Sequence, residues 1–363
     1  MAPAFCVSIQ PEAGCAQVLG PMLAEGAVDR IEWTVDTAHN GRRLPGWFVQ
    51  LLRSFAPHGR LVAHGVGASW MSPAHSPGPW LAQSARLLAA LPARHLTEHV
   101  GWNVGGQQVF GAPLPPPPRS RTAWELVAQR MNLARQQLGV PVGLEVLALA
   151  WSPSDVEWRG PAWGWLVERL PETVLHLDVH NIWCQAATFG LDPIALLERL
   201  PLSHVRLAHI SGGRWSQPLE DAPPVRRDTH DDGVPEDLWT LLDAALSRCP
   251  ALDAVFFERI AGTWDDPGGI RADLDRLQGA LSRPIAPQLP SPVRSAIDWI
   301  DDTPAQLGAW QAAVTRAART QDPTQLTAAL RSGPYQDAFH DLDQRMVHTV
   351  LELTRRWSRW SVP

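Results

Sequence analysis

Between Phe5 and Leu281 the chain repeats one pattern eight times: a short apolar run, a turn, then an amphipathic stretch. That alternation constrains the fold more than any other feature of the sequence. A short apolar run bounded by turn residues reads as a buried parallel strand, and the 3.6-residue periodicity after it reads as the helix that covers it. The strands predicted are Phe5–Ile9, Arg30–Val35, Leu61–Gly65, Leu96–Val100, Val142–Leu147, Val174–Val179, His204–His209 and Ala254–Glu258. The helices predicted between and after them are Cys15–Ala24, Pro45–Phe55, Pro79–Leu91, Thr122–Leu138, Ala162–Leu170, Pro193–Leu200, Pro235–Ser247 and Gly269–Leu281. Eight such units predict an α/β fold, a (β/α)8 TIM barrel with a C-terminal helical extension. A doubly wound sheet is the alternative, but it would carry a Gly-rich phosphate turn after an early strand, and none is present.

The domain reading follows from the same pass. Residues 1–282 form the barrel, 283–300 a Pro-rich linker containing RPIAPQLPSPV, and 301–363 a helical extension. In the extension, Thr303–Ala318 opens on a Thr-Pro cap, Asp322–Arg331 follows, and Asp337–Trp357 has helical apolar spacing. It carries no titratable cluster, so its expected role is docking of a partner or peptide, or oligomerisation. Two loops are long. Gly105–Ser120 contains PLPPPP and is expected to project as a stiff segment; Ser211–Pro235 is polar and carries RRDTHDD. Loops of this length after barrel strands shape the active-site mouth.

A barrel places its chemistry at the C-terminal ends of its strands. The third predicted strand ends in His64, the fourth in Glu98 and His99, and the fifth in Glu145. The sixth delivers Asp178, His180 and Asn181, and the seventh ends in His209 with Asp228 and His230 in its loop; Glu258 closes the eighth. Each residue alone is ordinary, since a single strand-end His is most often a hydrogen-bonded structural group. Together they place ionisable residues at the ends of six consecutive apolar strands. Burying so many charges in one funnel is costly without compensation.

The 31 cationic side chains are all Arg, and few lie beside these strands, which leaves metal as the natural compensation. Four His, four carboxylates and an Asn exceed one ion's needs and suit about two or three. Mixed imidazole and carboxylate donors favour iron, manganese or zinc. Asp228 and His230, two apart in extended chain, face one way; Asn181 must lie past the strand end to share a side with Asp178.

Composition removes other chemistries. Without a Lys, Schiff-base catalysis, pyridoxal phosphate anchoring and a Walker loop are excluded. A net charge of −6 with no basic stripe argues against a nucleic-acid partner. Four scattered Cys without CxxC spacing, no signal-peptide pattern and no apolar run of transmembrane length fit a cytoplasmic protein with no membrane partner.

The strand-end motifs resemble those of the multinuclear non-heme iron-dependent oxidative enzymes, barrel proteins that modify ribosomally made precursor peptides. The resemblance runs over most of Phe5–Leu281 and rests on HGVG at His64, EH at Glu98–His99, LE at Glu145, LDVxN at Asp178–Asn181, HISGG at His209, DTHD at Asp228–Asp231 and ER at Glu258–Arg259. It implies metal ligation by His64, His99, Glu145, Asp178, Asn181, His209, Asp228, His230 and Glu258, with His64, Asp178 and His209 taken as catalytic. It also implies two or three irons (Fe2+/Fe3+), O2 as co-substrate, and oxidative modification of a precursor peptide at a Cys side chain or near its C-terminus. A separate leader-peptide-binding partner protein often accompanies the family. Val146 stands where members often have Asn, and His180 where Asn is common before Asn181. Two other readings stay open: a divalent-metal barrel isomerase or trinuclear zinc endonuclease, and a non-catalytic peptide-binding scaffold.

Overall fold

The computed structural model describes residues 2–105, 108–288 and 296–357. Eight parallel strands close into a barrel in chain order: Ala4–Ser8, Arg30–Thr34, Leu61–Gly65, Leu96–His99, Val142–Glu145, Val174–Asp178, Val205–Ile210 and Ala254–Phe257. The eighth pairs with the first, so the doubly wound alternative is excluded. Helices follow the strands and pack outside, burying a continuous apolar layer that includes Leu19, Leu52, Leu81, Val127, Leu166, Leu241 and Leu274.

Inside the barrel the pleat sets the polarity. A separate cluster of Cys6, Val62, Val174, Leu207, Ala254 and Phe256 fills the lower interior. Side chains two residues further along a strand point to the same face, one layer higher. Two residues on from Val62, Val174, Leu207 and Phe256 lie His64, His176, His209 and Glu258. An apolar plug therefore sits directly under an ionisable layer.

Register levels that layer. His99 lies beside Glu145, and Asp178 beside His209.

Several elements differ from expectation. The helix predicted at Ala162–Leu170 runs over Pro153–Arg169, because Ser152 caps it by accepting from Asp155 N and Pro161 is accommodated inside it. Proline leaves the carbonyl four residues back unpaired. That is Glu157 O, and Arg199 Nη1 reaches it at 3.5 Å. A helix not expected at all, Val179–Phe189, starts the moment the sixth strand ends, capped by Asp178. The supposed loop after the fourth strand contains an antiparallel hairpin, Trp102–Gly105 with Gln108–Leu114.

Nor does the PLPPPP segment project. Leu114 to Pro118 are buried, and the Pro115 and Pro116 carbonyls accept from Trp102 Nε1 at 2.8 Å and Trp151 Nε1 at 2.9 Å. Prolines lack an N–H to satisfy but keep a carbonyl, so they bury well beside indoles that need an acceptor.

The C-terminal region is helical: Pro304–Thr320 with a Thr303/Gln306 capping box, Pro323–Leu330 capped by Asp322, and Gln344–Trp357. A 3-10 stretch, Gly333–Phe339, occupies the start of the helix expected from Asp337. Trp310, in the helix Pro304–Thr320, meets Trp102 of the hairpin and Trp151, with ring centroids 5.7 and 6.5 Å apart. The expected linker 283–300 falls partly outside the described residues, as do 358–363 of the extension.

Candidate metal centre

All nine residues named from the sequence meet at the C-terminal end of the barrel, in two linked groups. Glu145 is the hub of the inner one. Its carboxylate lies 3.4 Å from His64 Nε2, 3.6 Å from His99 Nε2 and 3.6 Å from His209 Nδ1. Asp228, His230 and Glu258 form the outer group. His230 touches Asp228 through Nε2 and lies 3.4 Å from Glu258 through Nδ1. Backbone at His230 has φ +51°, an unusual conformation for a non-glycine residue that turns its ring into the group. His209 and Asp178 join the two, each sharing potential ligand atoms with Glu145 and Asp178 also with His230 and Glu258.

The new helix explains Asn181. Asp178 Oδ1 accepts from Asn181 N at 3.0 Å, so the cap folds Asn181 back over the strand end, and Asn181 Nδ2 donates to Val146 O at 3.0 Å. Val146 thus contributes through its carbonyl. Asp178 Oδ2 and Asn181 Oδ1 are left buried without partners.

Three further residues belong to the site. Glu32, on the second strand, accepts from Ser8 Oγ at 2.7 Å and faces His209 Nε2 at 2.8 Å. His176 lies fully buried beside His209, ring centroids 3.9 Å apart. His180 faces Asp228 Oδ1 at 3.0 Å and Ser211 Oγ at 3.1 Å, and so orients Asp228. Sequence reading passed over Glu32 and His176, although both carry a signal. Each is a lone polar residue inside an apolar strand, and His176 is two residues from Asp178, hence on its face. Glu98 turns aside: it accepts from the backbone of His99 and Ala68, leaving His99 to meet Glu145.

The charge balance is lopsided. Glu32, Glu145, Asp178, Asp228 and Glu258 converge here, and no Arg pairs with any of them among the described residues. Nearby Arg259 spends its guanidinium on the carbonyls of Asp231, Asp232 and Thr263. Burial alone would depress His99, yet Glu145, Glu98 and Glu258 lift it to about 10. Burial also opposes charge on His209 and His230, and both are nonetheless raised well above the usual imidazole range, the first by Glu258, Glu32 and Glu145, the second by Asp228 and Glu258. Asp178 is pushed up by burial, then by Asp228 and Glu145. The carboxylates, which pair with no Arg among the described residues, therefore favour protons on the imidazoles beside them.

These groups fit metal ions. Glu145 Oε2, Asp178 Oδ2, Asn181 Oδ1 and Glu258 Oε2 are buried and unpartnered, although buried polar atoms are ordinarily satisfied. His209 Nδ1 and Glu258 Oε2 lie 3.1 Å apart yet form no hydrogen bond. Cations binding here would displace the protons. The four Cys are free and buried, and none stands in a metal-type group of the described residues.

A cleft of about 310 Å³ opens onto the centre. It is lined by His99, Asn181 and His230 together with Met346, Thr349 and Leu353 of the last helix. Arg226 and Arg227 also line it; Arg226 stacks over Trp183 at 4.6 Å, and Arg227 pairs with Glu352 at 3.2 Å. A larger hollow of about 790 Å³ lies at the opposite end of the barrel, around Arg135, Glu172 and Arg206, and contains none of the metal-type groups.

A family model described as "RiPP precursor modification enzyme MbnB/TglH/ChrH" matches residues 17–263. A UPF0276 protein of Acaryochloris marina is 27% identical over 226 residues, covering 60% of this chain and 76% of that protein. A UPF0276 protein of Streptomyces avermitilis is 28% identical over 275 residues, 72% of this chain and only 54% of the relative's length. Among solved structures, D-psicose 3-epimerase of Clostridium cellulolyticum H10 is 14% identical with a TM-score of 0.45, covering 77% of this chain and 97% of that one. A xylose isomerase domain protein of Salmonella typhimurium gives 14% and 0.48 over 77% and 97%.

Proposed function

Because the chain belongs to the MbnB/TglH/ChrH family of RiPP precursor modification enzymes, we propose that it is a multinuclear non-heme iron oxidase acting with O2 on a ribosomally made precursor peptide. The modified position is a Cys side chain or a residue near the peptide's C-terminus. One observation carries the metal part of this reading: three buried and two half-buried acids share a funnel with imidazoles, no Arg pairs with them among the described residues, and several of their oxygens are unpartnered.

His64, His99, Glu145, Asp178, Asn181, His209, Asp228, His230 and Glu258 would hold two or three irons. Bound iron supplies Lewis acidity and one-electron exchange with O2, which no side chain of the funnel can provide. The protein's own part is arrangement. Thr97 Oγ1 holds His64 by Nδ1 at 2.9 Å, and Glu32 holds His209 by Nε2, so each ring presents its other nitrogen to the centre. Asp178, as a helix cap, is locked to the backbone of Asn181 and cannot swing away. His180, whose Nδ1 also meets Ser211 Oγ, holds Asp228 by Oδ1.

The cleft supports a peptide substrate. Its wall is mostly apolar, with Leu147, Phe189, Val225 and Met346, and its floor is the metal centre, so an extended segment could present one side chain inward while its flanks rest on the last helix. Residues 301–363 would in this reading contribute to peptide or partner-protein docking.

The test is anaerobic purification, metal analysis and incubation with the precursor peptide encoded beside the gene. Two or three irons per chain and an O2-dependent mass change in the peptide are expected. Zinc alone would favour the nuclease or isomerase alternatives, and no metal would favour a binding scaffold.

A further inference from the structure

His176 is wholly buried in the sixth strand, and neither of its ring nitrogens has a hydrogen-bond partner. A buried imidazole can satisfy at least one nitrogen with a carbonyl or hydroxyl, so two orphaned nitrogens on one ring call for an explanation. No apolar pocket isolates it. The ring lies among His209, at 3.9 Å between centroids, and His64, at 6.0 Å.

Two sets of ligand atoms within 4.8 Å of one another include it: Glu32 with His209, and His64 with Glu145. In the first set Glu32 Oε1 and His209 Nε2 face each other at 2.8 Å, and Ser8 Oγ donates to the same oxygen. The second set is held more loosely. His64 spends Nδ1 on Thr97 Oγ1, and its Nε2 faces Glu145 Oε2 at 3.4 Å without forming a hydrogen bond.

We propose that His176 is itself a metal ligand, and that His176, His64 and Glu145 form the innermost position of the centre. This deepens the multinuclear iron reading and rests on it. Two imidazoles and one carboxylate are the donor set of mononuclear non-heme Fe(II) sites, which leave coordination positions open. Val62 and Val174, two residues before His64 and His176 on the same inward faces, belong to the apolar plug beneath. The innermost ion is therefore shut off from water on that side. It binds through one ligand more than the strand-end residues provide.

Metal-free protein, His176→Leu and His176→Gln are titrated with Fe(II) under anaerobic conditions, counted by elemental analysis and examined by Mössbauer spectroscopy; thermal unfolding is recorded before and after loading. The wild type is expected to bind two or three irons. Both variants should bind one fewer, lose one quadrupole doublet and keep the others. Metal-free His176→Leu should melt no lower than the metal-free wild type, and should gain less on iron loading. The wild-type iron count with an unchanged spectrum in whichever variant folds would overturn the assignment of His176 alone. A wild type that takes up no transition metal would overturn the multinuclear reading as well.

Discussion

The funnel and the helical layer over its mouth bury polar groups in opposite ways. In the layer, Trp310 Nε1 donates to Leu330 O at 2.9 Å, Gln311 Nε2 to Met71 O at 2.7 Å, and Tyr335 Oη to Asp302 Oδ2 at 2.6 Å. Most buried groups there are tied to backbone or to another side chain, Gln311 Oε1 and Thr349 Oγ1 being exceptions, and rings of Trp102, Trp151, Phe339 and Tyr335 surround Trp310. The funnel has the reverse character: acids outnumber available cations, and oxygens of Glu145, Asp178 and Glu258 go unmatched. Satisfied polar groups with dense aromatic packing make structure. Unsatisfied ones at comparable burial mark the place where a local rule is broken for function. Thr349 is telling here, because its buried hydroxyl has no partner and it belongs to the layer but lines the cleft.

That contrast can be broken experimentally. Asp178→Ala should cause the largest loss, removing turnover to below about a hundredth and releasing iron, because it deletes both an unpartnered ligand oxygen and the cap that positions Asn181. Iron content and peptide turnover measure it, and full retention of both would show that the funnel's unpaired atoms are not its ligands. Trp310→Ala should act on stability instead, costing about 3–5 kcal/mol by chemical denaturation while leaving the folded fraction with its full iron complement. If iron were lost in proportion to a smaller stability change, the layer and the centre would not be separable as described.

Glu32→Gln tests the border between the two characters. It keeps volume and hydrogen-bonding capacity but removes the charge that holds His209, so iron affinity should fall by about 10- to 100-fold with stability near wild type. A competition titration with a chelator reads this directly. Smallest in effect, Leu353→Trp narrows the cleft from the layer's side. A rise in KM for the peptide of roughly tenfold is expected, with kcat and iron content little changed. An unaltered KM would remove the last helix from the substrate path.

Much of this was legible before any coordinates. Apolar period and turn residues locate all eight strands to within about two residues, and the Thr303-Pro304 cap marks the first helix of the extension. The ligand-type residues stood out because His, Asp and Glu are conspicuous at the ends of apolar strands. What escaped was whatever depended on a neighbour distant in sequence. PLPPPP reads as a stiff exposed spacer until Trp102 and Trp151 supply its carbonyls with donors. The helix expected from Ala162 starts at Pro153, with Pro161 accommodated inside it where Arg199 approaches the carbonyl it orphans.

The sequence by itself determined the repeating strand–helix unit, the ionisable strand ends and the absence of a Lys to neutralise them, since these are local patterns of residue type. Only the closed barrel decided that Glu32 and His176 belong to the same centre as the nine strand-end residues. Periodicity states which face a side chain takes. Which other strands share that face, and at what level, is set by barrel closure and register: Ser8 beside Glu32, Glu145 beside His176, Asp178 beside His209. Likewise the last helix reads as a distant appendage, and its place along the cleft follows from tertiary packing on the hairpin, a contact that no local preference encodes.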